Sequence, residues 1–457
     1  MVVEGWLPRA AAARPGRTAV HTPAGSWSYA QLLRAAHAGA DELAGRGARD
    51  GERVAIALPG GLAFAQALHA CLLLGAVAVP VDVRLTAPER AHLADGAVVL
   101  VEEPLRGAAA PRPGKRRPRA RSRARGAHDL DAIAVVLHTS GTSSSPRPVE
   151  LTYGNFLWSA LGSAVALELD PRERWLCALP VSHVAGLSIL LRSAIYATTA
   201  VLHERFEAER VLHALREHDI TLVSLVATTL ARLLDAGLRR PARLRCALTG
   251  GGPVPDALLA RAGAAGVPIA LTYGLTEACS QVTTTPRRSL AREGPVPGPP
   301  LFCVRARIAA TQPGPRRRGE ILVAGPTVAP GARARDGWLH TGDVGFLDEH
   351  GVLHVSGRRA ETIISGGENV APAEVEAALE SHPDVLEAAV VGRPDAAWGQ
   401  AVTAIVVPRP GRTPDGEALR AHCARVLAAY KVPRQVLVSG GPLPRTRTGK
   451  LARGKLR

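Results

Sequence analysis

Apolar and polar residues along the chain form short apolar runs separated by longer segments with apolar residues at helical spacing. The runs at 53–58 and 76–83 have the length and composition of buried strands. The segments 27–47 and 62–75 have the period of helices, and Ser28 is a candidate N-cap for the first of them. This alternation with short connections predicts an α/β fold in which helices cover a parallel sheet.

The pattern changes at about residue 357. The residues beyond it carry apolar patterns of strands at 385–392, 401–407 and 434–438 and of helices at 372–379 and 414–428. We therefore predict a large N-terminal domain of helix-covered β-sheets at 1–356 and a smaller C-terminal α+β domain at 357–457.

Length and composition indicate a globular enzyme of two or three domains. The chain has 457 residues, 46% of them hydrophobic, and no apolar run of the length that spans a bilayer. The N-terminus has neither the basic region nor the long apolar region of a signal peptide, so we expect a cytoplasmic protein without a transmembrane segment. The six cysteines form no Cys-x-x-Cys pair, which predicts buried free thiols.

The net charge of +16 raises a nucleic acid as an alternative partner. Nine of the basic residues lie between 106 and 125, where there is no acidic residue. The segment is rich in Pro and Ala and has no aromatic side chain on which a base could stack, which predicts a disordered basic loop at 106–127. We therefore expect no specific nucleic-acid partner.

A loop of small hydroxylated residues follows the predicted strand at 133–137. It comprises Thr139, Ser140, Gly141, Thr142, Ser143 and, after Pro146, Arg147. Small residues let backbone N–H groups approach a polyphosphate, hydroxyl groups add donors, and the arginine neutralises charge. The loop lacks the Gly-Lys-Ser/Thr ending of a P-loop, and taken alone it is explained equally well as a surface loop.

Four further segments hold candidate chemistry. Gly250, Gly251 and Gly252 permit close backbone approach to a flat ligand or make a tight turn. His183 is a candidate for substrate binding or a hydrogen-bonded core histidine. Arg192 lies in an apolar segment, where an ion pair and a substrate carboxylate explain it equally well. Lys450 is one of four lysines in a chain that otherwise uses arginine, which favours a chemical role.

These segments resemble the adenylate-forming superfamily, which includes acyl-CoA synthetases, luciferases and peptide-synthetase adenylation domains. The loop at 139–147 resembles the family motif Thr-Ser-Gly-Thr-Thr-Gly-x-Pro-Lys-x-Val, with departures at Ser143, Ser144 and Arg147. The resemblance implies ATP-binding roles for Thr139, Ser140, Gly141, Thr142, Ser143, Arg147, Gly250, Gly251, Gly252, Tyr273, Gly274, Asp343 and Arg358.

The resemblance also implies individual roles. Tyr273 is expected to stack on adenine, Thr276 to contact the α-phosphate, and Glu277 to bind Mg²⁺. Asp343 is expected to bind the ribose hydroxyls. Lys450, in the closing motif, is expected to act with Thr276 and Glu277 in catalysis of acyl-adenylate formation from ATP and a carboxylic acid.

The second step implied by the resemblance is attack of coenzyme A on the adenylate. The C-terminal domain is expected to rotate about 357–361, where Ala360 replaces the usual Asp or Lys of the pivot. This rotation withdraws Lys450 and presents a CoA tunnel at Ser365, Gly366 and Gly367.

The acid is expected to contact the segment from 182 to 196, with His183, Ser188 and Arg192 as candidate substrate-binding residues. This segment and residues 273–283 resemble most the o-succinylbenzoate–CoA ligases of menaquinone biosynthesis. Such a substrate has two carboxylates, and Arg192 is a candidate cation for the one that does not react. A ligase or stand-alone adenylation enzyme for another aryl or short-chain acid is the alternative, and a homodimer is left open.

Overall fold

A computed structural model describes residues 1–107, 126–139, 147–290, 296–310, 318–365, 368–395, 398–427, 429–446 and 451–456. The chain forms two compact units. The first comprises Met1–Gly251, Gly263–Arg305 and Val323–Leu339, and the second comprises Gly252–Ala262, Ala306–Leu322 and His340–Arg457.

The described strands are β1 Val2–Glu4, β2 Thr18–Thr22, β3 Gly25–Ser28, β4 Arg53–Ile56, β5 Val77–Pro80, β6 Val99–Val101, β7 Ala127–Asp129, β8 Ile133–Thr139, β9 Arg147–Thr152, β10 Arg174–Cys177, β11 Thr199–Leu202, β12 Leu222–Leu225, β13 Cys246–Gly250, β14 Ile269–Leu275, β15 Ser280–Thr284, β16 Arg305–Ala310, β17 Gly319–Ala324, β18 Leu339–Leu347, β19 Leu353–Arg358, β20 Ile363–Ser365, β21 Glu368–Val370, β22 Val385–Asp395, β23 Gly399–Pro408 and β24 Gln435–Val438. The described α-helices are α1 Trp6–Ala13, α2 Tyr29–Gly45, α3 Leu62–Leu74, α4 Ala87–Leu93, α5 Tyr153–Leu167, α6 Val184–Tyr196, α7 Ala208–Glu217, α8 Ala227–Asp235, α9 Asp256–Ala264, α10 Pro372–Glu380 and α11 Gly416–Val426.

The first unit contains two helix-covered sheets, as the apolar pattern predicts. One has eight strands in the order β15-β14-β13-β12-β10-β11-β2-β3, and its six inner strands are parallel. The other has five strands in the order β6-β4-β5-β8-β9, with only β9 antiparallel. Helix α3 contacts strands of both sheets. Because it is buried between them, its sequence is apolar all round and not on one stripe.

Two helices of the first unit begin at side-chain caps. Ser28 and Gln31 form a reciprocal capping box at the start of α2, which confirms the predicted N-cap. Thr152 and Asn155 form another at the start of α5. Asn155 also donates to the carbonyl oxygen of Val328 at 3.1 Å, so this cap ties α5 to a distant segment of the same unit.

The second unit contains a five-stranded sheet in the order β21-β20-β23-β22, with β24 parallel to β23. Helices α10 and α11 supply Val375, Leu379, Leu419 and Cys423 to the core beside it. Most residues of a four-stranded sheet, in the order β16-β17-β18-β19, also belong to this unit. This α+β arrangement agrees with the pattern predicted for the C-terminal residues.

The structure corrects two details of the prediction. Strand β9 lies between the hydroxylated loop and α5, where no strand was predicted. The predicted disordered loop at 106–127 falls mostly on residues 108–125, which lie outside the described residues. At its ends, the Arg106 amide donates to Glu42 at 2.7 Å, and Ala127 begins β7, which pairs with β1. The ends of the segment are therefore ordered, because they pair with residues distant in sequence.

The six cysteines are free thiols, and all but the partly buried Cys303 are buried. In the described part of the chain, no helix combines the length and the apolar character needed to cross a bilayer.

Candidate active site

The carboxyl ends of the parallel strands place several predicted site residues at one edge of the eight-stranded sheet. His183 follows β10, Gly250 ends β13, and Tyr273 lies near the end of β14. Because these strands are parallel, the segments that follow them emerge at the same edge. This is where ligands bind in open α/β sheets.

The hydroxylated loop connects the antiparallel strands β8 and β9. Thr139 and Arg147 are paired at its two ends, and the Thr139 hydroxyl donates to the Arg147 carbonyl oxygen at 3.4 Å. The Arg147 side chain is exposed and forms no ion pair with a described residue. Its charge is therefore available to an anion. The predicted phosphate-binding residues Ser140, Gly141, Thr142 and Ser143 lie outside the described residues.

The glycine turn after β13 is constrained by its neighbour β14. A Cβ atom at Gly250 would lie 2.4 Å from the carbonyl oxygen of Thr272, and Gly251 has a φ of +81°. Both residues are thus explained by close strand approach and a left-handed turn. Gly252 follows them and is exposed. The same geometry leaves a turn without side chains at the sheet edge.

The predicted nucleotide motif lies at the junction of β14 and a short 3₁₀ helix, Thr276–Ala278. Tyr273, Gly274, Thr276 and Glu277 are all half-buried. A Cβ atom at Gly274 would lie 1.7 Å from the carbonyl oxygen of Ser280, so the hairpin with β15 requires glycine there. The motif is therefore held on a rigid hairpin and not on a free loop.

Glu277 has the surroundings that a magnesium ligand needs. Its carboxylate is partly exposed and forms no ion pair with a described residue, while its backbone carbonyl accepts from the Ala329 amide at 2.8 Å. Among the described residues no group of three or more His, Cys, Asp or Glu could hold a metal by itself. A single carboxylate fits Mg²⁺, which is usually held by one or two carboxylates with phosphates and water.

Helix α6 carries the three predicted substrate-binding residues. His183 is its N-cap residue, Ser188 lies one turn in, and Arg192 lies one turn further. Ser188 and Arg192 are buried, and four residues apart they are neighbours on the helix surface. Nine positions, about 13 Å along the helix axis, separate His183 from Arg192.

The Arg192 guanidinium is buried without an acidic partner. It is 3% exposed, and its Nη2 donates to Ser159 Oγ at 3.0 Å. Its Cζ lies 5.6 Å from the centroid of the Trp175 ring, while its Nε has no hydrogen-bond partner among the described residues. Burial lowers the pKa of Arg192. The Ser188 hydroxyl also has no described partner. The ion-pair explanation for Arg192 therefore finds no support in the described residues.

In the second unit, two predicted nucleotide-binding residues contact each other. Asp343 on β18 pairs with Arg358 on β19, and Arg358 Nε lies 2.8 Å from Asp343 Oδ1. Arg358 also donates to the carbonyl oxygen of Thr341 at 3.1 Å. The sequence did not reveal this ion pair, because the two residues are 15 positions apart and only the strand pairing brings them together.

The remaining predicted residues are Ser365, Gly366, Gly367 and Lys450. Ser365 is buried at the end of β20, which pairs with β21, and Gly366 and Gly367 lie outside the described residues. Lys450 also lies outside them, but the described residues on either side, Arg445 and Leu451, form an antiparallel bridge.

A surface cavity of about 570 Å³ contains none of the predicted site residues. Its lining includes Asp170, Arg172 and Arg245. Arg172 pairs with Asp170 at 3.2 Å and Arg245 with the buried Glu173 at 2.6 Å. Since its cations already have acidic partners, this cavity has little to offer an anionic substrate.

Comparison with known proteins identifies the family. The family described as AMP-binding enzyme matches residues 7–331, and its C-terminal domain matches residues 374–450. The chain belongs to the AMP-binding enzyme family. This assignment confirms the resemblance to adenylate-forming enzymes, and it confirms the α/β fold with a smaller second domain.

Relatives within the AMP-binding enzyme family match over the whole chain. The 2-succinylbenzoate–CoA ligase of Geobacillus kaustophilus is 39% identical, and the match covers 99% of this chain and 97% of that protein. The Bacillus subtilis enzyme of the same name is 37% identical with the same coverage. The chain is similar in sequence to both from end to end.

Solved structures of the family match equally completely. The Bacillus subtilis o-succinylbenzoate CoA synthetase (MenE) in complex with its acyl-adenylate intermediate has a TM-score of 0.90 at 35% identity, covering 100% of this chain and 98% of that one. The same enzyme with ATP and magnesium ion has a TM-score of 0.88, covering 100% of both chains. ATP-bound MatB from Rhodopseudomonas palustris has the same TM-score at 26% identity, covering 100% and 98%.

Sequence reasoning missed several residues around Arg192. Ser159, Trp175 and the backbone carbonyl of Cys279 all belong to its surroundings. Ser159 had a weak signal, because it is one of two serines within the mostly apolar helix α5. A backbone carbonyl has no signal in a sequence at all.

Proposed function

We propose that this protein is an AMP-forming acid–thiol ligase that converts 2-succinylbenzoate to 2-succinylbenzoyl-CoA, with ATP and CoA as co-substrates, in menaquinone biosynthesis. Full-length relatives with this activity in their names support the proposal. The observation that carries it in this chain is the buried guanidinium of Arg192, which has no carboxylate partner among the described residues.

Arg192 favours an acid that brings a second negative charge. A buried cation without an anion is unfavourable by several kcal/mol, and a ligand carboxylate offsets that penalty. A fatty acid or benzoate has one carboxylate, and that group reacts. The second carboxylate of 2-succinylbenzoate is free to pair with Arg192, and the Ser188 hydroxyl on the same helix stripe is a further donor.

The ATP-binding roles in the first unit follow the motif positions. Arg147, with Thr139 and the rest of the hydroxylated loop, neutralises the triphosphate, and Tyr273 offers an aromatic face to adenine. Thr276 donates to the α-phosphate in this proposal. Glu277 would hold Mg²⁺, which when bound neutralises phosphate charge as the carboxylate attacks phosphorus. No covalent enzyme intermediate is needed, because positioning and charge stabilisation suffice.

The proposed domain rotation involves residues of the second unit. Residues 357–457 form the rotating C-terminal domain, with Arg358 at the end of β19 and Asp343 on the paired strand β18. Lys450 acts in adenylation, and Ser365 with Gly366 and Gly367 lines the path of the CoA thiol. The Asp343–Arg358 ion pair holds an aspartate oxygen in place for the ribose hydroxyls.

Pyrophosphate release with different acids tests the proposed substrate. We expect acid-dependent release with 2-succinylbenzoate, and release at least about 100-fold slower, compared as kcat/KM, with benzoate or a medium-chain fatty acid. Equal or faster turnover of a monocarboxylate would assign the enzyme to another acid.

The two half-reactions test the role of Lys450. Lys450→Ala should lower acyl-adenylate formation by at least about 100-fold but leave thioester formation from supplied adenylate within a few-fold of the wild type. Lys455→Ala, in the described 3₁₀ helix Arg453–Lys455, is the matched control and should change neither step. Equal loss of both steps in Lys450→Ala would contradict domain alternation.

The cytoplasm is the proposed compartment, since both ATP and CoA are supplied there. A homodimer stays a proposal, and light scattering of the purified protein would decide it.

A further inference from the structure

Ser159 connects the buried Arg192 to the segment that carries the nucleotide motif. Its side chain is 1% exposed on helix α5. The Ser159 hydroxyl donates to the carbonyl oxygen of Cys279 at 2.7 Å and accepts from Arg192 Nη2 at 3.0 Å. Among the described residues, Ser159 is the side chain to which Arg192 donates a hydrogen bond.

The direction of the two hydrogen bonds is fixed by chemistry. A serine hydroxyl has one hydrogen and two lone pairs, whereas a carbonyl oxygen can only accept and a guanidinium can only donate. Because the one hydrogen points at Cys279, the lone pairs of Ser159 face Arg192. The hydroxyl is therefore a fixed acceptor and cannot rotate away without leaving both partners unsatisfied.

The backbone around the Cys279 carbonyl is itself restrained. Cys279 and Ser280 have φ values of 51° and 92°, in the left-handed region that favours glycine. The Cys279 amide donates to the Thr276 carbonyl oxygen at 3.0 Å, which closes the short 3₁₀ helix with Thr276 and Glu277. Strained backbone of this kind is kept where the surroundings determine it, often at functional sites.

An aromatic ring also contacts the guanidinium. Trp175 lies against Arg192, and its Nε1 donates to Ser224 Oγ at 3.0 Å, which fixes the ring in turn. With Trp175 and Ser159 holding the guanidinium, Nε stays without a described partner. The restraints thus orient the cation while leaving donors for a ligand.

We propose that Ser159 is a positioning residue that sets the orientation of the Arg192 guanidinium and thereby determines how well the enzyme holds the second carboxylate of its acid. This inference rests on the proposed function. Ser159 acts through Arg192 and does not touch the reacting atoms, so its removal should affect acid binding far more than ATP binding.

Steady-state kinetics of Ser159→Ala test the proposal. We expect the KM for 2-succinylbenzoate to rise about tenfold, the size of one hydrogen bond to a charged group, with the KM for ATP within about twofold of the wild type. Ser163→Ala, a buried serine one turn along the same helix that makes no hydrogen bond to Arg192, is the control and should change neither value. A Ser159→Ala variant with an unchanged KM for the acid would overturn the inference.

A double mutant separates positioning from a general loss of packing. Adding Ser159→Ala to Arg192→Gln should give no further rise in the KM for the acid, since Ser159 would have no guanidinium to orient. Additive effects would overturn the inference. If Ser159→Ala does not fold, Ser159→Cys keeps the side-chain size with weaker hydrogen bonds, and it should give a smaller rise in the same KM. A wild-type enzyme that does not turn over 2-succinylbenzoate would instead overturn the proposed function, and this inference with it.

Discussion

Two arginines with little exposure, one in each unit, have opposite surroundings. Arg453 in the second unit lies 2.5 Å from Glu376 and 3.3 Å from Glu361, and Glu376 also accepts from the Val390 amide. Among the described residues, Arg192 in the first unit contacts a serine hydroxyl and a tryptophan ring and no carboxylate. The half-buried cation of Arg453 is balanced by two carboxylates without any ligand, whereas the buried cation of Arg192 has no carboxylate among the described residues.

The pKa values reflect the same difference. Burial raises the pKa of Glu376, and the adjacent Arg453 opposes that rise. Burial lowers the pKa of Arg192, and no carboxylate opposes it. The comparison teaches that burial alone does not mark a functional arginine. The absence of an acidic partner among the described residues is the informative observation.

Removal of Arg453 should have the largest effect on stability. Arg453→Met leaves Glu376 buried without its cation, and we expect a loss of about 3–5 kcal/mol in the free energy of unfolding of the second unit. Urea denaturation measures it, with the exposed Arg409→Met as control. A loss no larger than that of the control would mean that the pair contributes nothing.

Removal of Arg192 should have the next largest effect, as a loss of acid binding without a loss of stability. Arg192→Met should raise the KM for 2-succinylbenzoate about 100-fold and leave the KM for ATP within a few-fold, because only the acid loses a charged partner. The free energy of unfolding should not decrease and should rise by up to several kcal/mol, since an unpaired buried cation is removed and no buried carboxylate is left behind. A large loss of stability with normal acid binding would make Arg192 structural.

Replacement of the partly buried Glu380 should have the smallest effect, which we expect as a pH dependence of stability. Burial, assisted by Glu376 and Glu387, raises the pKa of Glu380 to about 7. A carboxyl group whose pKa is higher in the folded than in the unfolded state stabilises the fold at pH values below the unfolded-state pKa. This contribution is lost as the pH rises through the folded-state pKa of about 7. Glu380→Gln should therefore stabilise the protein by roughly 1–2 kcal/mol at pH 8 and have little effect at pH 4.5. Thermal unfolding at the two pH values checks this, and a stabilisation that is the same at both would be against it.

The sequence predicted best the elements whose signal is local. The helix predicted at 62–75, which is α3 at Leu62–Leu74, and the Ser28 cap of α2 agree with the structure, because apolar period and cap chemistry act within a few residues. Strand β9 was missed because its Pro148 and Glu150 interrupt the apolar alternation. Such residues are tolerated on an edge strand, which β9 is.

In the candidate site too, residues with a local sequence signal were predicted and their contacts were not. The sequence predicted Thr276, Glu277 and Arg192 as candidate site residues, since their residue types are distinctive. Partners came only from the structure. Neither the Asp343–Arg358 pair nor the Ser159 contact with Arg192 has a local signal, because strand pairing and helix packing bring those residues together.

The distance between Arg192 and the acid tests the central claim most directly. In a crystal structure of the protein with 2-succinylbenzoate and a non-hydrolysable ATP analogue, we predict a nitrogen of the Arg192 guanidinium at about 2.7–2.9 Å from an oxygen of the unreactive carboxylate. The account would be contradicted if the acid were bound in its reactive position and its unreactive carboxylate lay more than about 6 Å from the Arg192 guanidinium.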